Sequence, residues 1–179
     1  FYQSNNQDNI PEIVFFDSEN QLINKRKLSF EKGEYINDGK LENSIYDITY
    51  NTECQTVYVF EGVVNALSVP EQSSIALFSA SNNISDIDKL AVYFRDKNIV
   101  LALDNDSAGN AMTKKILDLI IEEEITDKPI QQLLLPEKID CNDLLRNGNL
   151  TQFLENTDNY KQLHPRLLSN SENEELELK

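Results

Sequence analysis

From Thr56 onward, short apolar runs alternate with segments whose apolar residues recur every three or four positions. "TVYVF" (56–60), "SSIALFS" (73–79), "IVLALD" (99–104) and "IQQLLLP" (130–136) read as strands that are apolar on both sides. Between the first two, "EGVVNALSV" reads as a turn and a short helix. "ISDIDKLAVYFRDKN" puts Ile87, Leu90, Ala91 and Phe94 on one helical stripe, with Ser85 as the expected N-cap and Asp88 three residues on. "DSAGNAMTKKILDLIIEEE" predicts a longer helix with Ala108, Met112, Ile116, Leu119 and Ile120 on its apolar face. "NDLLRNGNLTQFLEN" predicts one or two short helices. Strands that alternate with helices are joined by crossovers. The pattern therefore predicts an α/β fold, a mostly parallel Rossmann-like sheet flanked by helices on both faces.

The first 54 residues keep another rhythm. Ile13, Val14, Phe15 and Phe16 form a β-rich run, "DSEN" is turn chemistry, and "QLINKRKLSF" alternates imperfectly, which predicts a hairpin. The two glycines of "EKGEYINDGKLEN" predict further turns or short strands. The expected organisation is a β-rich N-terminal subdomain over 1–54, a main domain over 55–160, and an acidic tail over 161–179 that stays solvated and poorly ordered. Within the first part, Ile13–Tyr50 reads as the β-rich appendage and the residues before Asn9 as a frayed polar lead-in. No internal repeat is present.

Composition narrows the function. With 40% hydrophobic residues, 179 residues can bury a proper core. No apolar run approaches the roughly 20 residues that span a bilayer, and "FYQSNNQDNIPEI" lacks signal-peptide character, so a cytoplasmic protein with no membrane partner is expected. The absent initiator Met points to a piece of a longer protein. Two cysteines, Cys54 and Cys141, and one histidine, His164, are too few for a zinc module and read as reduced thiols beside a lone imidazole. The formal net charge of −15 supplies no basic footprint for phosphates. Lys25, Arg26, Lys27, Lys114, Lys115 and Lys138 are scattered, and the first three read as a solvated hairpin face. A nucleic-acid partner thus requires a divalent cation and basic neighbouring domains.

Acidic residues fall where ligands bind in open parallel sheets, at the C-terminal strand ends. Glu61 follows "TVYVF", Asp104 and Asp106 follow "IVLAL", and Asp140 and Asp143 follow "QQLLLP". Two carboxylates this close repel unless a cation sits between them. Mg²⁺ takes hard oxygen ligands and keeps waters, using one or two carboxylates plus substrate phosphates. On an extended segment Asp104 and Asp106 face the same way and Asn105 points away. Simpler explanations exist for each place. An Asx-turn with a helix cap accounts for one aspartate of "DNDSAG". Glu61 fits an ordinary helix-start acid, and Asp140 or Asn142 a plain N-cap. An EF-hand fails on register, since counting from Asp104 puts Ala108 at the fifth and Lys115 at the twelfth loop position. A phosphatase of the haloacid-dehalogenase type normally opens with its Asp-x-Asp, whereas here two strands and Glu61 precede it. One metal site explains all three places at once.

"VYVFEGVVNAL", "VLALDNDSAGNAM" and "KIDCNDLL" together resemble the TOPRIM domain of bacterial primases, topoisomerases, nucleases and recombination proteins, over roughly Gln55 to Leu150. The Asp-x-Asp-x-Ala-Gly form, with Ala108 and Gly109, is the primase-like one, and the preceding hairpin resembles the β segment of primase-like and plasmid-mobilisation proteins. The resemblance implies Glu61 as general acid/base and metal ligand, and Asp104 and Asp106 as the catalytic Mg²⁺ pair, with Mn²⁺ an alternative. It implies Asp140 and Asp143 as the later acidic motif, and Gly62 and Gly109 as positions of close approach to the bound nucleotide. Two departures stand out: "FSASNN" lacks the loop glycine many members carry, which implies a less close backbone approach there, and no zinc module is present. The implied function is Mg-dependent, primase-like nucleotidyl transfer on DNA with nucleoside triphosphates, inside a larger replication or mobile-element protein aided by other domains or a helicase. A metal-dependent phosphodiesterase and a non-catalytic scaffold for protein partners remain the alternatives.

Overall fold

The computed structural model describes residues 3–5, 11–19, 21–27, 35–37, 42–47, 49–79 and 81–164. Four short strands come first: β1 (Gln3–Asn5), β2 (Pro11–Phe16), β3 (Leu22–Lys27) and β4 (Tyr35–Asn37), paired antiparallel in chain order. The turn between β2 and β3 is built by Asp17, whose carboxylate accepts from the Glu19 and Gln21 amides at 2.9 and 2.8 Å. The expected lead-in is partly a strand, since Gln3–Asn5 pairs with Pro11–Ile13. A polar edge strand needs only backbone partners, so it leaves little hydrophobic pattern to read. The remaining residues of "EKGEYINDGKLEN" outside 35–37 and 42–43 lie outside the described residues.

The second sheet carries the α/β pattern. Its elements are β5 (Thr56–Phe60), α1 (Val63–Leu67), β6 (Ser73–Ala76), α2 (Ile87–Phe94), β7 (Asn98–Ala102), α3 (Ser107–Glu122), β8 (Ile130–Leu133), α4 (Cys141–Arg146), α5 (Leu150–Glu155), a 3₁₀ turn at Thr157–Asn159, and β9 (Tyr160–His164). The order is β6-β5-β7-β8-β9, parallel except for β9, which returns antiparallel to β8. The expected tail therefore begins later than 161. Lys161–His164 belong to the sheet, where Tyr160 and Leu163 pack into its two cores, and 165–179 lie outside the described residues.

Alternate residues of the same strands feed two cores, which is why these strands are apolar throughout. Tyr58, Phe60, Val100, Ala102 and Leu133 pack with α1, α4 and α5 on one face. Val57, Val59, Ile75, Ile99 and Leu101 pack with α2 and α3 on the other. The free edge of β6 is covered by an antiparallel bridge from Tyr46 to Ala76, with backbone bonds of 2.8 and 2.9 Å. Phe15 of β2 meets Tyr46 edge-on at 6.3 Å, and Tyr46 meets Phe78 at 6.2 Å, so an aromatic row joins the small sheet to the end of β6.

Two helix details differ from expectation. α2 is capped by Asp86, whose carboxylate accepts from the Lys89 amide at 3.0 Å, and Ser85 lies outside the helix. The cause is Asn43, whose side-chain oxygen takes the Ser85 and Asp86 amides at 2.7 and 2.9 Å and holds them extended. On α3, Ala108 faces solvent and Gly109 takes the buried place. A Cβ on Gly109 would stand deep inside the Asp104 carbonyl oxygen, 3.0 Å from its carbon and 3.1 Å from the Asp104 nitrogen. The helix start can pack against the end of β7 only through a glycine.

Candidate functional site

The strand order places one switch point in this sheet. The chain leaves β5 through α1 toward β6, and leaves β7 through α3 toward β8, in opposite directions. The crevice between the C-terminal ends of β5 and β7 is where such sheets bind ligands. Phe60 pairs with both Ala76 and Ala102, so these strands end level. Glu61 thus emerges beside Leu103 and one residue short of the level of Asp104.

Asp104 sits in the most informative surroundings at this edge. It is half-buried, and its Oδ1 is buried with no hydrogen-bond partner among the described residues. Burial first, then the charges of Asp140 and Asp106, push its carboxyl above the ordinary range. The fold therefore brings Asp104, Asp106 and Asp140 together. Asp106 is exposed and caps α3, accepting from the Gly109 amide at 2.8 Å, while its own amide donates to the Asp104 carbonyl at 2.9 Å. Asp140 caps α4, accepting from the Asp143 amide at 2.8 Å. The cap explanation and the acid cluster thus both describe real features. A carboxylate has two oxygens, and one accepted amide leaves lone pairs for a further partner. Asp143 is half-buried at the third position of α4, and Glu61 is half-buried across the switch point.

The two glycines differ. Gly109 is held by packing, as its crowding against Asp104 shows. Gly62 begins α1 with φ −101° and has nothing within 4 Å of where a Cβ would stand, so the open space there is available to a ligand. Beyond β6, Phe78 takes the left-handed φ of 65° in the loop that lacks glycine. Its ring is buried and meets Tyr46 edge-on.

Hard oxygens at a shared edge, one of them buried and unpartnered, fit a divalent cation such as Mg²⁺. Among the described residues no three His, Cys, Asp or Glu side chains close into a cage. An ion there would need water and phosphate oxygens for the rest of its shell. Cys141 supplies no thiolate: burial, then Asp140 and Asp104, push its thiol up to about 12.

Sequence reasoning missed two residues here. Asn105 has a partner of its own: its Nδ2 donates to the Leu135 carbonyl at 2.9 Å. Asn65, buried on α1, accepts from the Asn142 amide at 3.3 Å. The signal for Asn65 is an amide on the buried side of a short apolar helix; Asn105 left none.

No helix among the described residues is long and apolar enough to cross a membrane. No match was found among curated protein sequences. Among solved structures, the DnaG primase catalytic domain bound to ssDNA is similar with a TM-score of 0.65 at 17% identity, over 86% of this chain and 52% of that one. The Aquifex aeolicus primase, comprising zinc-binding and RNA polymerase domains, gives 0.60 at 15% identity over 86% and 41%. The primase fragment of the bacteriophage T7 primase-helicase protein gives 0.55 at 19% over 83% and 63%. At such identities the likeness is one of fold, and this chain spans about half the length of the first two proteins. The Toprim domain family model matches residues 56–149, from the start of β5 to the eve of α5, and by that match the chain belongs to the Toprim domain family.

Proposed function

We propose that this chain is the Toprim part of a primase-like nucleotidyltransferase, joining nucleoside triphosphates on a DNA template with Mg²⁺ or Mn²⁺, inside a longer replication or mobilisation protein. The observation that carries the reading is the buried, unpartnered oxygen of Asp104 beside Asp106 and Asp140 at the switch point. A divalent ion bound there would offset phosphate charge and favour an in-line attacking oxygen. The chain's own residues do the rest. Asp104 would hold the ion through its unpartnered oxygen, and Asp106 and Asp140 through carboxylate oxygens beyond the one each uses as a helix cap, with Asp143 further along α4. Glu61, across the crevice, moves a proton to or from the reacting hydroxyl. Gly62 lets a phosphate approach the backbone of α1, and Gly109 keeps Asp104 at its station. The net charge of −15 assigns template binding to other domains of the parent protein. A helicase is the proposed companion, by likeness to the T7 primase-helicase.

The test uses the full-length parent with single-stranded DNA, labelled nucleotides and Mg²⁺. Products that grow only with nucleotides are expected, and Asp104→Asn with Asp106→Asn should lower their yield about 100-fold or more. Shortening of labelled DNA without nucleotides would assign a phosphodiesterase instead. An unimpaired double variant would assign a scaffold.

A further inference from the structure

The three acid-bearing loops leave different strands, and little backbone bonding joins them. Pairing of β7 with β8 ends at Leu101 and Gln132, short of Asp104 on one side and of Leu135 on the other. Past that register, among the described residues, the bond from the Asn105 side chain to the Leu135 carbonyl joins the two loops, at 2.9 Å across 30 positions. Leu135 is buried and opens the stretch that ends at Asp140. The neighbouring gap has a similar bridge. Asn65, 6% exposed on the helix that follows Glu61, reaches 77 positions to the Asn142 amide, two residues past Asp140.

We infer that Asn105 and Asn65 are positioning residues that set the spacing of the three acidic loops: Asn105 holds the Asp104 loop against the Asp140 loop, and Asn65 holds the Asp140 loop against the helix of Glu61. Neither amide touches the reacting atoms. Each fixes a loop on which an acid rides, as partners behind metal ligands do in other sites. Asn105 has the stronger case. It lies between the two aspartates, is itself exposed, and still spends its amide on a carbonyl from another loop. An asparagine serving only its own turn would bond within a few residues. The inference rests on the metal reading for its consequence and on the geometry for its cause, so the two can fail separately.

The experiment compares this chain with Asn105→Ala and, as a control, Asn110→Ala. Asn110 is exposed on the first turn of α3, and its side-chain oxygen accepts from Gln132 at 3.3 Å. Mn²⁺ binding is read by electron paramagnetic resonance, amide exchange by NMR without metal, and global stability by urea unfolding. Asn105→Ala should weaken Mn²⁺ binding roughly 10–100-fold. It should also speed exchange of the Asp106 and Asp143 amides while the amides of β5 and β7 and the urea midpoint stay as in the parent. Asn110→Ala should change none of these. Unchanged exchange and unchanged Mn²⁺ affinity in Asn105→Ala would overturn the inference. So would a uniform loss of protection across the sheet, which marks a merely structural residue. If the parent chain binds no Mn²⁺ but loop exchange rises as expected, the clamp stands and the metal reading falls.

Discussion

Asp104→Asn separates the cost of the acid from its use. In the folded chain its carboxyl is pushed above the ordinary 3.8 by burial and then by Asp140 and Asp106. A carboxyl raised on folding contributes stability while it is protonated, and that contribution is lost as pH rises through its folded value. Above that folded value the metal-free protein carries an ionised, half-buried carboxylate with one oxygen unpartnered among the described residues. Asparagine keeps two polar atoms at the site but removes the charge, its desolvation cost and its repulsion from Asp140 and Asp106, on the order of 1 kcal/mol for a partly exposed group. Asp104→Asn should therefore raise the metal-free melting temperature above that pH by about 2–4 °C for a chain of this size. The gain should shrink as pH falls toward 3.8, where the wild-type carboxyl is protonated as well. Mg²⁺ should act the other way. With a dissociation constant on the order of 1 mM, about 10 mM Mg²⁺ stabilises the native state by about 1.4 kcal/mol, or roughly 3–6 °C. Most of that rise should vanish in Asp104→Asn. Calorimetry in EDTA and in Mg²⁺, repeated across pH, reads all three. A variant less stable than wild type without metal at every pH tested, or one with an undiminished Mg²⁺ shift, would refute the reasoning.

The two site glycines should separate under the same measurement. Gly109→Ala forces its Cβ into the Asp104 peptide and should cost about 1–3 kcal/mol by urea unfolding, whereas Gly62→Ala meets no atom and should stay within about 1 kcal/mol of wild type. Equal losses would show that Gly109 is not tightly packed. At Phe78, both Phe78→Ala and Phe78→Gly lose the ring's burial, but the left-handed backbone should make glycine the more stable by about 1 kcal/mol; an alanine variant equal or better would contradict the conformation. Thiol labelling of the native chain near pH 8 should modify half-exposed Cys54 and spare Cys141, whose thiol stays protonated up to about 12, until denaturant is added. Equal labelling rates would place Cys141 nearer the surface.

The α/β layering was legible because strands buried on both faces write continuous apolar runs, as "TVYVF" and "IVLAL" do. Their level ends also made the acidic edge legible, since Glu61 and Asp104 each follow an apolar run directly. What escaped depends on partners far along the chain. Gln3–Asn5 and Tyr160–His164 are edge strands defined by backbone pairing rather than by pattern. The shift of the α2 cap from Ser85 to Asp86 is imposed by Asn43, more than 40 positions away. The exchange of Ala108 for Gly109 on the buried face follows from the approach of α3 to the Asp104 peptide, a contact that helical periodicity does not encode. In the loop after β6, Phe78 takes a left-handed φ with its ring buried against Tyr46, a contact between residues 32 positions apart that the local pattern does not encode.

In the proposed metal site, two of the acids are also ordinary helix caps. Asp106 and Asp140 each start a helix, accepting at 2.8 Å from the amide three residues on, and each keeps an oxygen in reserve. Starting the helices fixes each of these two acids at the end of its own helix. The two duties can be separated. Asparagine caps about as well as aspartate, whereas alanine forfeits the cap at about 1 kcal/mol. Asp106→Asn and Asp140→Asn should therefore leave the urea midpoint near that of wild type, or raise it slightly by relieving Asp104, while weakening Mn²⁺ binding. Asp106→Ala and Asp140→Ala should lose both stability and binding. If the asparagine variants bind Mn²⁺ as wild type does, the two aspartates are caps alone, and Asp104 is left without the neighbours that would make its buried oxygen a metal ligand.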